Sequence, residues 1–168
     1  SEAQTKKEIL YVGTFSVRGS QGIYAFSFDR TKRVLKLLQT VPSLESPSYL
    51  TVHPSGKFLY SVNRGKADAT DNGGSVSAYG IDPKSGKLNG LNHRPSYGDG
   101  PCYISIDKTG QYAFVSNYNR GNLVVSETGT ANVSNSGRIS IVSPDGTRRT
   151  LLDGLPQGTN AAGGDASG

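Results

Sequence analysis

Pro47–Asn63 reads PSYLTVHPSGKFLYSVN, and 54 positions later Pro101–Asn117 reads PCYISIDKTGQYAFVSN. The two lines match without a gap at Pro47/Pro101, Tyr49/Tyr103, Gly56/Gly110, Phe58/Tyr112, Tyr60/Phe114 and Asn63/Asn117, so they are two copies of one structural phrase. Each opens with alternating apolar residues (Leu50 and Val52; Ile104 and Ile106), passes through a short polar turn and ends in an aromatic and β-branched run, the pattern of a β-hairpin. Pro54 fixes φ at the start of its turn, and Gly56 and Gly110 are predicted to take the positive φ that closes each bend. A repeat of this length made of short strands is the signature of a β-propeller blade.

Working outward, Ile9–Phe15 corresponds to the second strand of the repeat, so the first unit enters without a PxxL strand before it. GIYAFSFD (Gly22–Asp29) and GSVSAYGID (Gly74–Asp82) recur at a spacing of 53 and predict a third strand ending on an Asp, whose carboxylate bonds the amides of the turn that follows. Val34–Val41 and Leu88–Asn92 are the expected outer strands. In the third unit GRISIV arrives about ten residues late, because NLVVSET is interposed; this is either one long loop or a supernumerary strand, and Leu123–Val125 favours the strand. The reading is an all-β chain of about three blades, each of four antiparallel strands. A polar tail covers residues 1–8, a partial blade 9–45, a full blade 46–96, a blade with an extra segment 100–156, and a Gly-rich tail 157–168 without an apolar period, read as loop or linker.

Twenty-two glycines among 168 residues suit many turns. The single cysteine, Cys102, excludes an internal disulfide and reads as a small buried apolar residue. A net charge of +5 is dispersed over turns and outer strands, which argues against a nucleic-acid groove while still favouring an anionic small molecule. No apolar run reaches the length of a membrane span. The compartment stays open between cytoplasmic and secreted after signal removal. His53, in a turn, and His93, in NHRPS, lack partners at metal-ligand spacing and read as surface residues.

LYVGTF, GIYAFSFD, PSYLTVHPSGKFLYSVN, GSVSAYGIDPKSGKL and PCYISIDKTGQYAFVSNYNRG together resemble the bacterial lactonase family of seven-bladed β-propellers, the 6-phosphogluconolactonase type. From about Leu123, LVVSETG, GRISIVSPDGTRRTLLDGLP and the final GGDASG look like a second propeller family, the ScyD/ScyE type, so the chain reads as a chimera joined within LVV. The first resemblance implies a hydrolase of sugar lactones with charged residues at the inner ends of the strands. The family's His after Pro-Cys is here Tyr103, and its Glu after Val-Asn is Arg64, which takes away the expected general base. Arg64 and Tyr103 are the candidate catalytic positions, and Asn63, Asn117 and Arg120 the candidate substrate-binding ones. Activity is expected to be weak or lost, with a non-catalytic scaffold as the alternative. Glu127 with Asn160 and Asp165 matches the carboxylates and Asn that related propellers place around an axial calcium, but one Glu in a Gly/Thr-rich stretch does not make a site, so no metal and no cofactor is expected. Three blades do not close a ring, and the expected partner is a second copy, with residues 157–168 donating a strand to the first unit.

Overall fold

The computed structural model describes residues 8–65, 73–96, 98–118, 122–127, 139–142, 148–152, 157–159 and 165–167. All regular structure among them is β. The first sheet holds β1 (Glu8–Val12), β2 (Gly22–Asp29) and β3 (Val34–Pro42) in that order. The second, β4 (Pro47–Val52), β5 (Phe58–Asn63), β6 (Ser75–Ile81) and β7 (Leu88–Pro95), is the complete four-stranded antiparallel blade of the sequence reading.

The predicted turns form. Gly56 and Gly110 have φ of 70° and 76°, and each turn is closed by paired backbone bonds, His53 with Phe58 and Asp107 with Tyr112. Asp29 and Asp82 end their strands as expected, the Asp29 carboxylate accepting from the amides of Thr31 and Lys32 and that of Asp82 from Lys84 and Ser85. β1 stops at Val12, short of the predicted Phe15. A side chain on Gly13 would meet the Pro47 carbonyl oxygen at 2.3 Å, so the chain turns there at close quarters with the neighbouring blade.

The third sheet holds five strands, β8 (Pro101–Ile106), β9 (Tyr112–Asn117), β10 (Asn122–Glu127), β11 (Ile139–Val142) and β12 (Arg148–Leu152). NLVVSE is the supernumerary strand, and its insertion has a topological cost. β10 runs antiparallel to β9, as the third strand of a blade does, so the displaced third strand β11 keeps its direction and lies parallel to β10. An all-antiparallel third blade is therefore corrected to one with a parallel pair, whose ends are joined by the long connection 128–138 that parallel neighbours require. Gln157–Thr159 (β13) and Asp165–Ser167 (β14), predicted to be loop, pair with each other as a small antiparallel hairpin.

Among the described residues two separate cores lie between the three sheets. Ile23, Leu59, Tyr79 and Leu88 pack the first blade on the second, and Val62, Val76, Ile104, Ala113 and Val115 pack the second on the third. Period-2 alternation assigns the faces: Leu59, Ser61 and Asn63 of β5 look toward the first blade, Tyr60 and Val62 toward the third. The inner strands β4 and β8 lie side by side.

Candidate functional site

At the inner strands, Tyr49 and Tyr103 come from equivalent positions of successive blades and pack ring to ring, centroids 4.8 Å apart and tilted by 51°. Tyr103 remains 45% exposed, so the pair presents an aromatic surface to solvent. Loss of water contact, and then the neighbouring Tyr103, push the Tyr49 phenol above its ordinary value, so it stays protonated at neutral pH. Arg64, the first residue after β5, is exposed and sits with its guanidinium 5.8 Å from the centroid of the Phe15 ring. No carboxylate pairs with it among the described residues.

The two asparagines lie elsewhere. Asn63 is 2% exposed and held between blades: its Nδ2 donates to Ser75 Oγ (2.8 Å) and Ser77 Oγ (2.9 Å), and its Oδ1 accepts from Ser61 Oγ (2.9 Å). Asn117 is equally buried, but among the described residues it makes one long bond from Nδ2 to the Ser96 carbonyl (3.5 Å) and its Oδ1 has no partner. Arg120 lies outside the described residues, as does Asn160. Glu127 is the last residue of β10 and Asp165 the first of β14. Among the described residues no group of three His, Cys, Asp or Glu is placed to hold a metal ion.

Both histidines reach the surface as expected, His93 exposed and His53 half-buried, yet each has partners that its sequence position does not announce. His53 Nε2 donates to the Gly110 carbonyl in the next blade's turn (3.0 Å), while Nδ1 accepts from the Ser55 amide (3.1 Å), and the ring stands edge-on to Phe58. His93 belongs to a polar chain that begins at Asn63. Ser75 Oγ donates to Glu45 Oε2 (2.8 Å), Ser77 Oγ meets His93 Nδ1 (3.2 Å), and His93 Nε2 stands 3.6 Å from Glu45 Oε2. These groups open onto a cleft of about 490 Å³ between the first and second blades, off the inner strands. Cys102 is half-buried and donates to the Ser116 carbonyl (3.5 Å), less enclosed than predicted.

Stacked antiparallel sheets with adjacent inner strands define a β-propeller. The family described as "Lactonase, 7-bladed beta-propeller" matches residues 9–149, and the chain belongs to it. That match runs past Val125, the point at which the sequence reading placed a junction. The 6-phosphogluconolactonases of Bacillus subtilis and Formosa agariphila are 37% and 35% identical to it over 119 and 124 residues, 71% of this chain in each case. The chain spans about a third of the length of these relatives, 33% and 34%. Among solved structures, the periplasmic gluconolactonase of Pseudomonas aeruginosa superposes with a TM-score of 0.67 at 27% identity, covering 86% of this chain and 47% of that one. No helix among the described residues is long and apolar enough to cross a membrane.

Proposed function

We propose that this chain is the ligand-binding portion of a lactonase-type propeller that holds an anionic sugar lactone, of the 6-phosphogluconolactone kind, and hydrolyses it slowly or not at all. The observation that carries the reading is Arg64, an exposed guanidinium backed by an aromatic ring and unneutralised among the described residues, on a chain with an excess of cations. Tyr49 and Tyr103 offer an aromatic face for a pyranose ring. Catalysis is the weak link, because positions 64 and 103 hold a permanent cation and a phenol where water attack needs a base near neutrality. Titration calorimetry with 6-phosphogluconate, the stable hydrolysis product, is expected to show binding that Arg64→Ala weakens about tenfold, the scale of one charge-assisted contact. Lactone hydrolysis, corrected for the spontaneous rate, is expected to show no acceleration; an acceleration abolished by Arg64→Ala or Tyr103→Phe overturns the non-catalytic half of the proposal.

A scaffold reading is supported by the first sheet, in which β1, among the described residues, pairs with β2 alone. A second copy adding a strand on the other side of β1 completes that sheet, with residues 157–168 as the donor. Light scattering checks it: the dimer is expected at twice the 17.7 kDa chain mass and is expected to dissociate when residues 157–168 are deleted. The parallel β10/β11 pair likewise supports a junction of two propeller families within Leu123–Val125.

A further inference from the structure

We infer that the cleft between the first and second blades is a second ligand site, built for an uncharged polyhydroxy compound such as a neutral hexopyranoside. The directions of the protons in the polar chain follow from two fixed points, the Asn63 amide and the Glu45 carboxylate. Ser61 donates to Asn63 Oδ1, which orients the amide, so Nδ2 is the donor to both Ser75 and Ser77. Ser75 passes its own proton to Glu45 Oε2; at the other branch the Glu45 carboxylate facing His93 Nε2 favours the tautomer with its proton there, which leaves Nδ1 to accept from Ser77 Oγ. A neutral His93 thus carries its proton on Nε2.

At 3.6 Å that N–H and the carboxylate are too far apart for a hydrogen bond, and Glu45 Oε1 has no partner among the described residues. The mouth of the cleft therefore presents an unspent donor beside an unspent acceptor. One functional group answers both at once: an alcohol, which accepts from Nε2–H and donates to the carboxylate. An ammonium group meets the His93 N–H head-on, a carboxylate or phosphate meets Glu45, and a transition metal finds no free imidazole lone pair. Pro42, Leu44 and Tyr79 supply an apolar wall for the C–H face of a ring, and a cleft of about 490 Å³ admits one. Its preference for a neutral ligand thus differs from that of Arg64 for an anion.

Saturation-transfer NMR on the full chain, with methyl α-glucopyranoside and its anionic counterpart methyl α-glucuronide at about 20 mM each, tests the assignment in a range that detects millimolar binding. The glucoside is expected to bind and the glucuronide to bind about tenfold more weakly. Glu45→Gln is expected to narrow that gap to about threefold, because an amide keeps an acceptor and drops the charge. His93→Phe is expected to weaken the glucoside about tenfold, and Arg64→Ala to leave it unchanged. No saturation transfer to the glucoside, or transfer unaffected by both cleft variants whose circular dichroism matches the parent chain, overturns the inference. Loss on Arg64→Ala alone also overturns it, since that places the sugar at the inner strands.

Discussion

The second and third blades turn the same face toward the blade before them and fill it differently. In the second that face carries Leu59, Ser61 and Asn63, with Ser75 and Ser77 on the neighbouring strand; in the third the same positions hold Ala113, Val115 and Asn117, with Asn122 and Val124 in register beside them. Exchanging Leu59 and Ser61 for Ala113 and Val115 turns that row from one that ends in a hydrogen-bonded network to one that joins an apolar core. It also changes what one asparagine means. Asn63 spends its whole amide on three hydroxyls, whereas Asn117, pressed against Gly98 so closely that a side chain there would meet it at 2.4 Å, keeps an oxygen with no partner among the described residues. Identical letters at equivalent positions thus anchor a polar cleft in one blade and leave an uncompensated group in the next.

The largest expected effect comes from Leu59→Ala, which empties a fully buried site and is expected to cost about 2–5 kcal/mol in urea unfolding. The third blade already carries Ala113 there, so its interface has no counterpart to lose. Asn63→Ala is expected to destabilise by about 2–3 kcal/mol because it strands buried hydroxyls, and Asn117→Ala by clearly less, since its amide oxygen has no partner among the described residues. Equal losses from the two substitutions would break the comparison. Ser61→Val, which writes the third blade's residue into the second, is expected to cost about 1 kcal/mol by orphaning Asn63 Oδ1.

The smallest effect separates the turns by acid. Hydrogen bonds from Ser85 hold Asp82 below its ordinary value, and the Thr109 hydroxyl followed by the Tyr112 amide hold Asp107 below its own. Carboxyls depressed in the folded state stabilise it above their unfolded values near 4 and lose that contribution as pH falls through the folded ones. Asp107→Asn is expected to flatten stability against pH below about 4 and to leave it unchanged near 7 in shape. The equivalent turn of the second blade has His53 in that place and gives no such acid-labile term from a carboxylate. An unaltered acid profile in Asp107→Asn would remove this distinction.

Much of this architecture was legible because it is local: turn glycines, terminal aspartates and the spacing of aromatic strands each follow from nearby residues. The burial of Asn63 was also within reach, since it continues the i, i+2 row of Leu59 and Ser61. The cleft was not. Register counted back from the Asp82 turn sets Asn92 opposite Ser77 and sends His93 to the other face; a bulge between Ala78 and Tyr79 slips the outer strand by one and brings His93 round. The first blade is bulged at the equivalent place, between Ala25 and Phe26, so the device recurs while no residue type announces it. The parallel pair followed from counting strand directions once the extra strand was granted. Glu45 reaches the cleft from the connection between blades, and only the packing of two sheets reveals that.

The division of the interior into two cores has a consequence for how the chain is made. Everything needed for the first core, from Ile23 to Leu88, precedes the third blade in the chain, so a nascent polypeptide can complete that interface while Ile104 and Val115 are still being synthesised. Until they emerge, the far side of the middle blade shows Val62 and Val76 bare to the cytosol or translocon. A ribosome-bound chain whose last emerged residue lies between 96 and 115 is expected to leave that face open to protease, and one extended past Val115 to protect it.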